Sequence, residues 1–340
     1  MAKVKEYIQE NISDDTKVRI FAFLLFIFVS FVMVWFSLRL TNNDETNKYD
    51  IVFVPKTIET GNDFWNSLVD GAKLGAEEFG VNLTVSGGRS EQDIEGQIFH
   101  IKKAIEQNPD AILVSPCSYT EMNDVLKEVV NHKIKLVLID SVVDEKISEG
   151  IVATDNYLAG KQLGEYASLL IKDNENIAII AHVKGSSTAI EREKGIKEGL
   201  GSKRENVKST QYCGSSYDKA YELTKELIDN NPDIKAVFGT NEYASVGAAR
   251  AVKASGRNDI AVYGFDNSLE EIKLLEEGVF EAIVIQKPFN MGYLGVEKAV
   301  SILEKNKSEF YIDSGCRLID INNMYEEENQ RLLFPFTGQK

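Results

Sequence analysis

The sequence has few of the residues that build metal sites, disulfide frameworks or covalent active sites. Its 340 residues include three cysteines and three histidines, and none of them has a companion at zinc-ligand spacing. We expect Cys117, Cys213 and Cys316 to be small buried side chains that form one disulfide at most. Phosphate-binding loops and nucleophile motifs are absent from the sequence as well. We therefore predict a protein that is not an enzyme and holds no metal and no cofactor.

Basic residues are also in short supply. The chain carries 38 lysines and arginines against 53 aspartates and glutamates, which gives a net charge of −15. A nucleic-acid partner needs a basic face, because its phosphates are bound by Lys and Arg side chains. We therefore predict no nucleic-acid partner.

The longest apolar run lies near the start of the chain, from Ile20 to Leu38, and contains neither charge nor proline. As a helix it would measure about 28 Å, close to the roughly 30 Å hydrocarbon core of a bilayer. The alternative is a buried core helix, which would show a polar residue at every third or fourth position. This run has only Ser30 and Ser37. The sequence therefore predicts a membrane-spanning helix over residues 20–40.

The ends of this run indicate an anchor that stays in place. It is followed by no small-residue cleavage site and no lipid-accepting cysteine, so we expect it to remain uncleaved. Four lysines and arginines precede the run and two follow it by residue 48. This bias favours a cytoplasmic segment over 1–19, a linker over 41–48 and an extracytoplasmic body. We predict a single-pass protein of the cell membrane.

Behind the anchor, short apolar runs alternate with helical periods in two successive series. The runs are apolar on both faces, which is typical of parallel strands covered by helices. Two series of βα units predict an α/β protein with two doubly wound parallel sheets. The predicted strands are Ile51–Val54, Leu83–Ser86, Ala111–Ser115, Lys135–Ile139, Gly150–Ala153, Ile177–Ala181, Val207–Tyr212, Ala236–Thr240 and Ile260–Phe265. The predicted helices are Phe64–Phe79, Asp93–Gln107, Glu121–His132, Ala189–Leu200, Tyr217–Asp229, Tyr243–Ala254 and Leu269–Glu277.

Breaks between the series fall near Thr154–Asn156 and near Gln286–Pro288. We expect Pro288 to end a strand and the next helix to span Tyr293–Lys305. The breaks predict one lobe of residues 49–154 plus 287–315 and a second of 155–286 plus 316–336, joined by a hinge that the chain crosses more than once. Ligands of open α/β sheets bind beyond the carboxyl ends of the strands, so the cleft between the lobes is the predicted site.

Short motifs follow one another along this body in a recognisable order. They are Asn62-Asp63-Phe64-Trp65, Asp110-Ala111-Ile112, Ile139-Asp140, Asp155-Asn156 with Gly160, Glu191-Arg192, Asn241-Glu242, Gly264-Phe265-Asp266, and Gln286 before Pro288. From about Lys48 to Phe336 the chain resembles type I periplasmic sugar-binding proteins of the ribose-binding kind. The resemblance implies a two-lobed clamp that binds a monosaccharide without reaction. The ligand-binding residues that it implies are Asn62, Phe64, Trp65, Asp140, Ser141, Arg192, Tyr217, Asn241, Phe265, Asp266 and Gln286.

Aromatic side chains suit the two C–H faces of a sugar ring. In this family a pair such as Phe64 and Trp65 stacks on the sugar, and an aromatic of the second lobe covers the opposite face. Tyr217 is the implied counterpart, although its local spacing is shorter than usual. For Phe64 a core position is the alternative, because Leu68 and Ala72 continue a buried stripe.

Charged and amide side chains suit the ring of hydroxyls. Asp140 and Asp266 each follow an apolar strand and can accept from two vicinal hydroxyls, at about 1.5–3 kcal/mol for each charge-assisted bond. Arg192, Asn241 and Gln286 supply donors, and the two amides also accept. Structural alternatives remain: helix capping for Asp266 and Asn241, and a surface ion pair for Arg192.

One departure from the resemblance bears on the sugar. Ribose binders of this family carry an arginine where this chain has Ser141, so another pentose, xylose above all, or a hexose is favoured over ribose. We expect the sugar to close the hinge and a partner to bind the closed surface. The uncleaved anchor favours a membrane sensor histidine kinase as partner. The alternative is a receptor that docks on the permease of a sugar ABC importer, and the choice between homo- and hetero-oligomer stays open.

Overall fold

The computed structural model describes residues 14–41, 48–59 and 61–334. Residues 1–13 of the predicted cytoplasmic segment, 42–47 of the predicted linker and 335–336 of the predicted second lobe lie outside the described residues. The chain divides into two compact units, residues 1–46 and 47–340. Each unit is described by itself below.

The described part of the first unit is a long helix, α1 (Asp14–Thr41), of 28 residues. Within it, Val18–Trp35 has a mean hydropathy of 2.5, and none of this stretch is buried in the protein. Exposed Phe, Leu, Ile and Val side chains along the whole stretch do not fit a core helix. By length and composition the helix can cross a membrane, as the sequence predicts.

The second unit is built from strands and helices that alternate along the chain. The strands are β1 (Asp50–Val54), β2 (Asn82–Val85), β3 (Ala111–Val114), β4 (Lys135–Ile139), β5 (Gly150–Ala153), β6 (Asn176–Ala181), β7 (Val207–Tyr212), β8 (Ile234–Gly239), β9 (Ala261–Phe265), β10 (Phe280–Gln286), β11 (Tyr311–Asp313) and β12 (Cys316–Asp320). The helices are α2 (Asp63–Phe79), α3 (Ile94–Glu106), α4 (Asn123–Asn131), α5 (Asn156–Leu170), α6 (Ser187–Gly199), α7 (Tyr217–Asn230), α8 (Glu242–Ser255), α9 (Leu269–Glu276), α10 (Pro288–Leu303) and α11 (Glu327–Leu333), with a 3-10 helix at Gly201–Asn206.

These strands form two six-stranded sheets, each the centre of one lobe. The first lobe has the strand order β11-β5-β4-β3-β1-β2 and the second β12-β10-β9-β8-β6-β7. Neighbouring strands are parallel except β10 and β12, which are antiparallel. Central strands such as β3 are buried along their whole length because helices cover both faces, whereas the edge strand β2 is only half-buried. The predicted fold class of two doubly wound α/β lobes is confirmed.

The two sheets have the same strand order if the strands of each lobe are numbered along the chain. β1 and β3 in the first lobe correspond to β6 and β8 in the second, and in each sheet the strand order reverses between this pair. Connections leave in opposite directions at such a point and open a crevice beyond the strand ends. The topology therefore provides each lobe with a crevice for polar side chains.

The chain passes between the lobes at three places: after β5, after β10 and between β11 and β12. Two of these segments are joined, because Thr154 and Ser314 share a hydrogen bond of 3.2 Å between their hydroxyls and the Asp155 N–H donates to Asp313 Oδ1 over 3.2 Å. The segments lie side by side, as a hinge that opens the cleft requires.

The helix after the second crossing begins earlier than the sequence predicts. It starts at Pro288, directly after β10 ends at Gln286, rather than at Tyr293. Proline suits the first turn of a helix, because its backbone needs no N–H partner there and its φ is already helical. This helix packs closely on α2: a Cβ at Gly71 would lie 1.9 Å from the Phe289 carbonyl oxygen, so only glycine fits.

Candidate functional site

The carboxyl ends of the two sheets face each other across a cleft. About 300 Å³ of this space holds no protein atoms. Thirteen residues line it: Lys56, Asn62, Phe64, Trp65, Glu91, Asp140, His182, Thr188, Arg192, Asn241, Glu242, Asp266 and Gln286. Most are charged or amide side chains, with two aromatic rings among them. The cleft therefore offers many hydrogen bonds and two apolar plates to a small molecule.

Eight of the residues predicted from the sequence line this space, namely Asn62, Phe64, Trp65, Asp140, Arg192, Asn241, Asp266 and Gln286. The other three lie behind them. Ser141 donates to Asp140 Oδ2 over 2.6 Å, and the Phe265 ring lies under the Arg192 guanidinium, 4.5 Å from ring centroid to Cζ. The Tyr217 hydroxyl donates to Glu242. These three side chains support the lining residues rather than forming the lining.

Asp140 and Asp266 occupy equivalent positions in the two lobes. Each follows a central strand and has a left-handed backbone, with φ of 67° and 82°. Each backbone N–H donates over 2.9 Å to a valine of the next strand, Val152 in one lobe and Val284 in the other. A left-handed non-glycine residue is strained and persists only where the surrounding structure enforces it. The strand-end geometry thus aims one carboxylate from each lobe into the cleft.

The first lobe pairs its aspartate with a lysine. Lys56 Nζ donates to Asp140 Oδ2 over 2.9 Å, and both residues are only 4% exposed. Ser141 donates to the same oxygen. Among the described residues Oδ1 has no donor, so it can accept from a ligand. Lys56 therefore balances the charge of Asp140.

The second lobe holds its aspartate with neutral donors. Gln286 Nε2 donates to Asp266 Oδ1 over 2.7 Å, and the Glu242 backbone N–H donates to Oδ2 over 2.8 Å. The cap of α9 is Ser268, so capping does not explain Asp266. Burial raises the pKa of Asp266, while the nearby Arg192 lowers it. Among the residues that the structure describes, the buried amide oxygen of Gln286 has no hydrogen-bond partner, which leaves an acceptor for a ligand hydroxyl.

Arg192 is a buried cation of the second lobe, not part of a surface ion pair. It is 2% exposed, and its Nε donates to Asn156 Oδ1 while NH1 donates to the Thr240 carbonyl, both over 2.8 Å. These two bonds leave further guanidinium N–H groups for a ligand. Asn241 has two functions, since its Oδ1 caps α8 by accepting from the Ala244 N–H and its side chain also lines the cleft.

His182 is held as a neutral ring at the end of β6. Its Nδ1 bonds the Thr240 hydroxyl and its Nε2 the Thr188 hydroxyl, each over 2.8 Å. Complete burial lowers the pKa of His182 well below its usual value, and the charges of Arg192 and Lys56 lower it further. Because both nitrogens of the neutral ring are hydrogen-bonded, His182 forms a polar part of the lining with a fixed orientation.

Two glutamates join the lobes directly. Glu91 of the first lobe accepts from Trp65 Nε1 over 2.6 Å and from the Ser215 hydroxyl of the second lobe over 2.5 Å. Glu242 of the second lobe accepts from Asn62 Nδ2 of the first over 3.0 Å. Burial raises the pKa of Glu242 to about 8, and the hydrogen bond from Tyr217 opposes this rise. The structure is therefore a closed form in which protein atoms bridge the cleft.

Phe64 and Trp65 are the two aromatic residues that line the cleft. The Trp65 ring is 2% exposed, and the Phe64 ring meets it edge-on with centroids 5.1 Å apart. The N-cap residue Asn62 sets the start of their helix by accepting from the Trp65 N–H over 3.0 Å. Phe64 is half-buried against the core and also lines the cleft, so core packing and a place at the site are compatible.

Sequence reasoning missed Lys56, Glu91, His182, Thr188 and Glu242. Lys56 and His182 follow β1 and β6 closely, and the strand-end rule alone could have found them. Glu242 stands beside Asn241, within a motif that the sequence displays. Glu91 lies in a loop between β2 and α3, where no local pattern distinguishes it.

Comparison with known proteins places this geometry among related molecules. Residues 51–307 match the model of a family described as a periplasmic binding protein domain. The ribose import binding protein of Salmonella typhimurium is 27% identical over 254 residues, which cover 74% of this chain and 85% of that protein.

Two solved structures extend the comparison. A sugar transporter from Clostridium phytofermentans is 40% identical, with a TM-score of 0.77, and the match covers 80% of this chain and 99% of that chain. A carbohydrate transporter solute binding protein from Agrobacterium radiobacter, in complex with D-arabinose, is 25% identical, with a TM-score of 0.80, and the match covers 85% and 99%.

Proposed function

This chain belongs to the periplasmic binding protein family, and we propose that it binds a monosaccharide, a pentose such as xylose, without reaction. The composition of the cleft is the observation that supports this proposal. Carboxylates, amides and a guanidinium from both lobes face one small space beside aromatic rings. A sugar hydroxyl both gives and takes hydrogen bonds, and this mixture of donors and acceptors matches it.

The composition of the cleft supports a single sugar ring. Its lining places charged and amide side chains of both lobes beside Phe64 and Trp65, a set that suits the hydroxyls and the C–H faces of one ring. Ribose binders of this family have an arginine where this chain has Ser141, so the chain lacks that charged donor, which supports a pentose other than ribose. The related proteins named above include one for ribose and one with bound D-arabinose.

The binding test is a thermal-shift and calorimetric titration of the full-length protein in detergent. D-xylose, D-ribose, D-arabinose, D-glucose and D-galactose are the probes. A ligand that binds only the folded state at one hundred times its Kd adds about 2.7 kcal/mol of stability, so at least one pentose should raise Tm. If no sugar of this panel changes Tm or gives heat, the proposed function is wrong.

The proposed mechanism is closure of the hinge on the sugar. A ligand that contacts Asp140 in one lobe and Asp266 in the other binds the closed form better, because the open form separates the two. The bonds from Asn62 to Glu242 and from Ser215 to Glu91 then close over it. The lobe boundaries, 49–154 plus 287–315 and 155–286 plus 316–336, remain part of this proposal.

We further propose that the chain is a sensor subunit, anchored in the cell membrane with its binding lobes outside, which signals sugar occupancy to a membrane histidine kinase. The exposed apolar stretch Val18–Trp35 supports this reading. A receptor that only carries sugar gains little from a spanning helix. Mass spectrometry of the N-terminus tests the anchor: we expect an intact N-terminal peptide in the membrane fraction, and a chain that starts near residue 40 contradicts it.

The alternative is the sugar receptor of an ABC importer. The Salmonella relative, a ribose import binding protein, favours it. The neighbouring genes discriminate, since a sensor has a kinase and response regulator beside it and an importer has a permease and an ATPase. Co-purification with the encoded kinase, with and without D-xylose, completes the test, and an amount of bound kinase that does not depend on the sugar contradicts the sensor.

A further inference from the structure

Two hydrogen bonds join the loop after β6 of the second lobe to loops of the first lobe. The Tyr119 N–H, in the loop after β3, donates to the Gly185 carbonyl over 2.8 Å. The Val142 N–H, in the loop after β4, donates to Ser187 Oγ over 2.9 Å. None of these four residues is among those that line the cleft. Both bonds therefore hold the lobes together without occupying a position of the sugar site.

A third bond joins the outer edges of the two sheets. Gln92, which follows the edge strand β2, donates through Nε2 over 2.5 Å to the carbonyl of Gly214, which follows the edge strand β7. The three hinge segments lie at the opposite edges, beside β11 and β12. A rotation about the hinge therefore separates Gln92 from Gly214 more than it separates groups near the hinge.

The backbone at Gly214 is suited to this contact. Its φ of 63° lies in the left-handed region, which glycine adopts without strain. A Cβ at this position would lie 2.4 Å from Gln92 Nε2, so a larger residue would displace the glutamine. We call the three bonds, Tyr119 to Gly185, Val142 to Ser187 and Gln92 to Gly214, the interlobe clasp.

The interlobe clasp forms in the closed protein whatever ligand the cleft holds. Its donors and acceptors are backbone groups, one amide and one hydroxyl, and opening of the hinge separates each pair. The measured affinity for a sugar combines its affinity for the closed form with the fraction of protein that is closed without sugar. A contact that raises this fraction therefore strengthens the binding of every sugar by the same factor.

We propose that the interlobe clasp determines how tightly the protein binds any sugar, while the lining of the cleft determines which sugar it prefers. The clasp holds a fraction of the sugar-free protein closed. Gln92 and Ser187 are thus affinity-determining residues that do not touch the ligand. The inference rests on the proposed sugar-binding function.

Two substitutions each remove one bond of the clasp. Ser187 is 3% exposed and is the first residue of α6, where alanine is a good helix former, so we expect Ser187→Ala to fold. It should lower the affinity for every sugar by about threefold to tenfold, because the closed form then leaves the Val142 N–H without its acceptor. Gln92 is exposed, so Gln92→Ala should cost about twofold. The double variant should show about the product of the two factors.

A matched control removes a serine bond inside one lobe. Ser255 Oγ accepts from the Arg257 N–H over 3.2 Å at the end of α8 and contacts neither the first lobe nor the cleft. We expect Ser255→Ala to leave sugar affinity within about twofold of the wild type. Thermal unfolding without sugar shows that every variant is folded before titration.

Hydrogen exchange of the Tyr119 N–H reports closure directly. Neither substitution removes its acceptor, the Gly185 carbonyl, so a change in exchange reflects the separation of the lobes. Mass spectrometry of peptides that contain Tyr119 measures it in the full-length protein in detergent. Without sugar, this amide should exchange faster in the Gln92→Ala/Ser187→Ala double variant than in the wild type. Equal rates would show that the clasp does not hold the sugar-free protein closed, and would overturn the proposal.

The binding experiment titrates D-xylose, D-ribose, D-arabinose, D-glucose and D-galactose into the wild type and the variants by calorimetry. We expect the double variant to bind each sugar more weakly by one common factor and to keep the wild-type ranking of the sugars. Unchanged affinities, or a changed ranking, overturn the role of the clasp while the proposed function stands. If the wild type binds none of these sugars, the proposed function fails, and this inference fails with it.

Discussion

Asp140 and Asp266 share a backbone geometry but differ in electrostatic surroundings. Both have positive φ and both anchor their N–H on the next strand. Asp140 pairs directly with Lys56. Asp266 accepts from neutral donors and lies near Arg192, which lowers its pKa, and its two neighbouring carboxylates, Glu242 and Glu271, also have raised pKa values, chiefly because of burial. The same strand-end position therefore holds a carboxylate paired with a lysine in one lobe and a carboxylate beside two others in the second lobe.

The largest expected effect comes from removing each aspartate in turn. Asp140→Ala and Asp266→Ala should each reduce sugar affinity about 100-fold or more, because each loses charge-assisted bonds of about 1.5–3 kcal/mol. Asp140→Ala should also destabilise the fold more, by about 3 kcal/mol, since it leaves Lys56 buried and unpaired. Calorimetry measures the first effect and urea unfolding the second. If the two variants lose the same free energy of unfolding, the proposed difference between the two aspartates is wrong.

The next largest effect is the pH dependence of sugar affinity, which we expect to come from Glu242 of the second lobe. In the closed form burial raises the pKa of Glu242 to about 8, while an open cleft exposes it to water and returns the pKa toward about 4.3. Closure therefore takes up a proton between these values. Sugar affinity should be highest in acid and fall as pH rises toward 8, by up to about tenfold per pH unit.

Calorimetry between about pH 5 and pH 8 checks this fall. Glu242→Gln should remove most of the pH dependence, because an amide does not titrate. A variant that keeps the full slope contradicts the assignment. The groups that raise the pKa of Glu242, besides burial itself, are Asp266, Asp63 and Glu91.

A smaller effect should follow from removing the neutral donors to each aspartate. Ser141→Ala removes one of two donors to Asp140, and Gln286→Leu removes a donor to Asp266 together with a free acceptor. We expect about threefold loss of affinity for Ser141→Ala and about tenfold for Gln286→Leu, because a neutral hydrogen bond is worth about 0.5–1.5 kcal/mol. Titration of the two variants side by side shows whether the order holds. The reverse order would mean that Ser141 contacts the sugar.

The smallest effect is expected at an exposed ion pair outside the cleft. Lys225 and Asp229 form an ion pair one turn apart on α7, and both side chains are more than half exposed. Asp229→Asn should lower the free energy of unfolding only slightly and leave sugar affinity unchanged. Chemical denaturation and one titration suffice. A change in affinity here would show that the effects above are not local to the cleft.

Much of the fold could be predicted because buried parallel strands appear in the sequence as apolar runs. Runs such as Ala111–Val114 are recognisable without any tertiary information. The short strands Tyr311–Asp313 and Cys316–Asp320 were not predicted, since three to five residues without an apolar run have no periodic signal. The helix Asn156–Leu170 was missed as well, although Asp155 caps it. The early start at Pro288 depends on how β10 ends, which is a tertiary property.

For the candidate site, the sequence alone determined which side chains stand at the ends of strands, because strand and turn follow from local pattern. It also determined the apolar helix near the start of the chain. The tertiary structure decided which charges meet: Lys56 with Asp140 across 84 positions of chain, and Asn62 with Glu242 across 180. Such contacts between distant parts of the chain determine the pKa of Glu242 and the partners of each aspartate. They also hold the cleft closed. Coulomb energy and burial depend on distance in space, and no spacing along the chain encodes that distance.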